Sequence, residues 1–453
     1  MNLADLTVGT VRERLFETGL SHAESLSKAR QFARAAEALV QMGADGSAGA
    51  YAHFVPGRIE VLGKHTDYVG GRSIVSAVER GFCMIAVPRA DGRARVLAVE
   101  QDESVECELK VDLQVPQSGW TNYPLTVMRR LALNFGQLQG ADIAFLSDLP
   151  PAAGMSSSSA FMIATYLTLA ARNELSVRDV YRHAIESDLE LAAYLGTIEN
   201  GQSFGPLAGD RGVGTFGGSE DHTAILCSES GHLGQFAYCP ARLERRLAVP
   251  KDCVFVIGFS GVVAEKTGAA QDLYNRAALQ VRAIVDVWQR ATGNDQVYLA
   301  DVLRSAPDAA EALQGALREA TDAAYAPAQL EQRLRHFLLE DGQIIDAAAT
   351  ALCAGDLAAF GKQVDLSQKY SASVLGNQVD ETVELARLAR QEGALAASAF
   401  GAGFGGSVWA LVEEARADSF TRAWEAAYEH AFPQAAQSAL YFTSRPGPAA
   451  CAL

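Results

Sequence analysis

The chain is short of positive charge, of paired cysteine and of long apolar runs. Its 453 residues carry 38 Lys and Arg against 54 Asp and Glu, a formal charge of −16. A surface of that sign repels phosphate backbones and anionic lipid, so nucleic acid and membrane are excluded as main partners. A small anionic ligand is not excluded, because one local cluster of N–H groups and cations can hold it. The opening MNLADLTVGTVRERLFETG lacks an apolar leader core, and no run approaches the roughly 18 residues of a membrane span. Seven cysteines are scattered without a CxxC pair, Asn-x-Ser/Thr sequons are absent, and Cys451 stands in the wrong place for a prenylation box. The expectation is a cytoplasmic protein with reduced thiols. It lacks repeats, low-complexity tails and a Walker A motif.

What is present reads as globular and mixed. Nearly half the side chains are hydrophobic, 49% against 20% charged, enough to fill one or two sizeable cores. Residues 10–44 have helical spacing and predict one or two surface helices. Strands are expected across 51–115, at 141–150 and in CVFVIGFSG, and AFMIATYLTLAARNEL reads as a buried helix. Too many glycines crowd 196–218 for a regular element. Helices dominate 264–392, and AASAFGAGFGGSVWALVEE and ALYFTSR close the chain with strands. A change of texture near 248 divides it into 1–247 and 248–453.

Three segments are richer in chemistry than their elements require. In LPPAAGMSSSSAFMIA, a strand enters a turn of small residues and an apolar helix starts after four serines. Backbone N–H groups of such a turn, with the helix dipole, favour phosphate, and a serine hydroxyl is a hard oxygen suited to Mg²⁺. FGAGFGGSVWALV matches G-x-G-x-x-G at Gly401, Gly403 and Gly406, but it sits near the C-terminus rather than after a first strand of a dinucleotide-binding unit. Tight packing is its better reading in isolation. VPGRIEVLGKHTDYVGG sets Arg58, Lys64, His65 and Asp67 in one strand and turn, a cluster that can hydrogen-bond a polyol.

Together these segments resemble the superfamily of galactokinase, homoserine kinase, mevalonate kinase and phosphomevalonate kinase, and galactokinases most of all. Residues 57–71 are similar to the galactokinase sugar signature, 151–160 to the phosphate loop and 401–406 to the third motif. Trp120-Thr-Asn-Tyr123 resembles the W-x-N-Y stretch, GGSEDH the catalytic-aspartate segment, and LYNR the sugar-contacting Y-N segment. The resemblance implies an α+β fold of two domains, one like ribosomal protein S5 domain 2 and one ferredoxin-like, with the active site in their cleft. It implies a sugar 1-kinase using ATP and Mg²⁺, a monomer or weak dimer whose partners are small molecules. Asp221 would take the proton of the attacking hydroxyl, and Arg58 would hold Asp221 charged. Ala152, Ala153, Gly154, Met155, Ser156, Ser157 and Ser158 would cradle ATP, with Ser158 and Glu199 on Mg²⁺. Lys64, His65, Thr66, Asp67 and Tyr274 would contact the sugar.

Two departures bear on the substrate. Galactokinases have Glu where this chain has Lys64 and Asn where it has Glu60. An ammonium cannot accept a hydroxyl's hydrogen bond, so Lys64 opens the reading of a sugar acid such as a uronic acid beside that of galactose. The alternative for Lys64 is an internal pair with Glu60 or Asp67. A kinase for a non-sugar alcohol and a catalytically quiet sugar-and-ATP sensor remain open as rival functions.

Overall fold

Alternating and continuous apolar runs in this sequence become two antiparallel-rich sheets in the computed structural model. It describes residues 1–264, 271–320 and 324–453, with the side chains of 271–274 outside the description. The strands are β1 (Tyr51–Leu62), β2 (Arg72–Pro88), β3 (Arg93–Ala98), β4 (Glu103–Glu108), β5 (Ala141–Ser147), β6 (His232–Ala237), β7 (Arg242–Ala248), β8 (Cys253–Phe259), β9 (Ala396–Ala399), β10 (Ser407–Glu413), β11 (Leu440–Ser444) and β12 (Cys451–Ala452).

The larger sheet runs β12-β1-β2-β5-β3-β4, with β6 and β7 continuing from the other end of the long β2. Among the described residues, only β3 and β5 pair in parallel. In β3 the period of two is plain: Ala94, Val96 and Ala98 are buried, while Arg93 and Arg95 reach outward to Glu106 and Asp142. The Ser157–Arg172 helix packs on β1 and β2. It is apolar on most sides because the Asn122–Phe135 and Asp188–Asn200 helices cover what the sheet does not. Burial of each large apolar side chain there contributes roughly 1.5–3 kcal/mol. The opposite sheet face is covered by Val8–Glu17 and His22–Gln41, through Val11, Leu15, Phe32 and Leu39. These helices are thus one side of a core, amphipathic rather than merely superficial.

The smaller sheet has the order β11-β8-β10-β9, antiparallel throughout. With helices between β8 and β9 and between β10 and β11, this is the β-α-β-β-α-β arrangement of ferredoxin-like domains. Its central strand β8 is buried at all seven positions, as its continuous apolar run requires. The sheets part at the turn after Ala248, yet β12 returns to pair with β1. A further helical body, Gln271–Thr292 to Pro327–Leu339, packs a core of Val281, Ile284, Leu313 and Phe337 around Val69. Among the described residues, no helix is long and apolar enough to cross a membrane.

Candidate active site

β1 brings the first functional side chains to the cleft. Its register against β2 shifts between Pro56 and Arg58 and again between Glu60 and Leu62. Such bulges re-aim side chains locally. Arg58 and Glu60, two apart and so on one face of the strand, both line one polar cavity. The other walls are His65, Asp67, Tyr68, Glu199, Gly217, Gly218, Glu220, Asp221, His222, Gly401 and Ala402.

Arg58 is the cation of this wall, only 3% exposed. Its Nε and Nη2 both donate to Asp221 Oδ1, at 2.8 and 2.6 Å, and its Nη1 donates to the Gly154 carbonyl at 2.5 Å. Burial works against the guanidinium charge, but Asp221, Glu220 and Glu60 outweigh it and raise its pKa. Asp221 is held by its helix as well. It lies in the first turn of Glu220–Cys227, where the helix dipole favours a carboxylate. That helix start is fixed from the sugar segment, since Asp67 Oδ2 accepts the Glu220 N–H at 3.1 Å. Gly218 makes the approach possible: a Cβ there would stand 2.4 Å from Asp67 Oδ2.

The serine loop runs from β5 into the Ser157–Arg172 helix through left-handed Ala152, Gly154 and Ser156. Ser156 caps the helix without a side-chain hydrogen bond, so the first-turn N–H groups are left for another acceptor. Ala153, Met155 and Ser156 are buried, and Ala152, Gly154, Ser157 and Ser158 remain partly exposed. The glycine turn of 401–406 braces this loop from the other sheet. Gly401 has φ +81, and a Cβ on it would meet the Gly154 carbonyl at 2.7 Å. Ser407 Oγ donates to the Ala153 carbonyl at 2.7 Å.

Glu199 and Asp221 meet over one hydroxyl. Ser159 Oγ lies 2.8 Å from Glu199 Oε2 and 3.3 Å from Asp221 Oδ2. His222 Nε2 stands 3.5 Å from the same Glu199 oxygen. The cavity is rich in buried acid. Burial pushes Glu60 up to about 7, against the pull of Lys64 and Arg58, and raises Asp67. Glu220 is held well above the usual carboxylate range by burial, with Glu60 and Asp67 adding repulsion.

Three family models match segments of this chain. The GHMP kinase N-terminal domain matches residues 122–204, the GHMP kinase C-terminal domain 348–430, and the galactokinase galactose-binding signature 44–88. The galactokinase of Chloroflexus aggregans is 30% identical over 378 residues, 82% of this chain and 86% of that one. The chain belongs to the galactokinase family. It is therefore a phosphotransferase with an alcohol acceptor, an ATP-dependent sugar 1-kinase. The galactokinase of Halalkalibacterium halodurans is 28% identical, covering 83% of this chain and 87% of its own. In fold, the galactokinase of Lactococcus lactis complexed with galactose has a TM-score of 0.74 at 23% identity, covering 92% of this chain and 99% of that one. A mevalonate kinase structure follows at 0.51 and 14%.

Of the site residues expected from this galactokinase-type sequence, Arg58, His65, Asp67, Glu199 and Asp221 are brought together on the cavity wall. Thr66 is not: its hydroxyl donates within the turn, to the Gly63 and Arg72 carbonyls, and it is fully buried. Lys64 is not among the lining residues either. It is 1% exposed, and its Nζ donates to Ser398 Oγ at 2.9 Å. Tyr274 belongs to the Gln271–Thr292 helix, but its side chain lies outside the described residues. Trp120 donates to Glu103 and packs on Phe145 and Phe161. Sequence reasoning missed Ser159, Tyr68 and Glu220 as wall or bridging groups. The fourth consecutive serine was the one available signal for Ser159.

Proposed function

We propose that this chain transfers the γ-phosphoryl group of ATP to the C1 hydroxyl of galactose. The observation that carries the reading is the Arg58–Asp221 pair on the cavity wall, in a chain whose 44–88 segment matches the galactose-binding signature. The hydroxyl oxygen bonds to phosphorus as the bond to ADP breaks, and the electron pair leaves with ADP. The hydroxyl proton passes to Asp221, whose second oxygen is not engaged by Arg58. Arg58 keeps the carboxylate in place and spreads positive potential toward the transferred group. His65 and Asp67 take other sugar hydroxyls, and Tyr274 joins them on the resemblance alone.

The N–H groups of residues 152–158 and the uncapped helix start cradle the phosphates. Mg²⁺ fits the donor set. Glu199, Asp221, Ser158 and Ser159 offer hard oxygens, and Mg²⁺ characteristically takes one or two carboxylates plus phosphates and water rather than a closed protein cage. Glu199 and Ser158 would hold it, and when bound it neutralises charge on the phosphates. All seven cysteines are free thiols, which supports the cytoplasm as the compartment.

The test is release of ADP from MgATP with galactose, glucose and galacturonate in parallel. Galactose should lead in kcat/KM by at least tenfold. Turnover of galacturonate ahead of galactose, or of no sugar, would refute the reading.

A further inference from the structure

Glu60 is a charged group for which the mechanism above has no task. It stands on the cavity wall two residues beyond Arg58, 3% exposed. Its Oε2 accepts the Gly401 N–H at 2.9 Å. Its Oε1 is buried and has no hydrogen-bond partner among the described residues. Burying a polar atom unpaired is costly, and burying a charged one unpaired more so. A lone acceptor in the wall of a polar cavity marks the place of a donor that arrives with the ligand. Sugar hydroxyls are such donors.

Lys64 explains how the carboxylate is tolerated there. It lies off the cavity, anchored on Ser398, which is itself bonded to Gln368. From that position its charge favours the ionised form of Glu60, as does that of Arg58. Relative to the galactokinase pattern of Asn and Glu at these two positions, the carboxylate has moved from 64 to 60. An ammonium fills the vacated position.

We infer that Glu60 determines sugar specificity: its Oε1 accepts a hydrogen bond from one hydroxyl of the sugar, and Lys64 is the positioning residue that keeps this carboxylate in place. The inference rests on the galactose reading above.

The experiment compares wild type, Glu60→Gln and the double variant Glu60→Asn, Lys64→Glu on galactose and its 2-, 3-, 4- and 6-deoxy analogues, with MgATP saturating. Exchanging a charged acceptor for a neutral one should raise the galactose KM about tenfold, with the KM for MgATP within twofold. One deoxy analogue, and one only, should be bound equally well by wild type and Glu60→Gln, because it lacks the hydroxyl concerned. The double variant moves the carboxylate to position 64, off the cavity, and should leave the galactose KM about tenfold above wild type. It also serves if Glu60→Gln fails to fold. A galactose KM within threefold in Glu60→Gln, an equal loss on all four analogues, or a folded double variant within threefold of wild type overturns the inference and leaves the galactose reading intact. Absence of galactose turnover by wild type overturns both.

Discussion

The two oxygens of Asp221 have different surroundings. Oδ1 takes two N–H groups of Arg58, and Oδ2 faces Ser159 and the cavity. Asp221→Asn preserves the shape but removes the proton acceptor. It should lower kcat by about 10²–10⁴, with MgATP affinity by calorimetry unchanged. Ser158 and Ser159 separate two roles on adjacent residues. Ser158→Ala should weaken Mg²⁺-dependent ATP binding and leave galactose binding intact. Ser159→Ala should act on kcat, because it frees the two carboxylates from their shared hydroxyl. The reverse pattern in the same two measurements would exchange the assignments. Glu60 adds a pH dependence. Burial raises it from 4.5 to about 7, so the fold favours its protonated form below that pH and the accepting carboxylate is the form above it. Its favourable contribution is complete below pH 4.5 and is lost as pH rises through about 7. Relative to Glu60→Gln, wild type should lose about 3 kcal/mol of stability between those limits. Urea melts at pH 5 and 8 measure it, and equal differences at the two pH values would contradict the assignment.

At the scale of elements, the sugar segment is a turn held from three directions. His65 has φ +58, an unusual conformation for a non-glycine residue, and its neighbours fix it. Because a carbonyl only accepts, His65 Nε2–H donates to Ala402 (3.2 Å), which leaves Nδ1 to accept from the Tyr68 hydroxyl (3.0 Å). Arg333, from the Pro327–Leu339 helix, donates to the His65 carbonyl at 2.6 Å and to Tyr68 at 3.4 Å. That helix therefore grips the sugar turn through one buried guanidinium. Arg333→Lys keeps the charge but loses the planar fork. It should raise the galactose KM about 5- to 20-fold and leave that for MgATP within twofold. Steady-state kinetics with each substrate varied decides it, and parallel rises in both KM values would count against a local role.

Over the whole molecule, the cavity is assembled from both sheets. Arg58 and Glu60 come from β1, and Gly401 and Ala402 from the turn between β9 and β10. A ligand there binds only when both bodies are folded and docked. Galactose at 100 times its Kd should add about 2.7 kcal/mol to unfolding. For a chain of this size melting as one unit, that is about 3 °C in Tm. Calorimetry should show one transition moving. Two transitions with only one displaced would place the sugar on a single body.

Much of this was legible in the residues themselves. Local patterns are written in local spacing, so the alternation of RARVLA, the continuous run of CVFVIGF and the small-residue turn before a serine-led helix each declared an element. Motifs in family order pointed to the kinase, to Arg58 and to Asp221, because chemistry of that kind needs those residue types in those contexts. What spacing cannot encode is the direction a side chain takes once several elements converge. Thr66 lies between two reactive neighbours in the sequence, yet its hydroxyl turns back onto the Gly63 and Arg72 carbonyls. Lys64 is a flexible cation whose partner, Ser398, stands 334 positions away. Glu60, Ser159 and Arg333 acquire their roles only where β1, the serine helix and the helical body meet. The sequence by itself determined the family and the chemistry. Packing in three dimensions decided which polar groups face the cavity, because a buried donor or acceptor is directed by whatever long-range partner satisfies it.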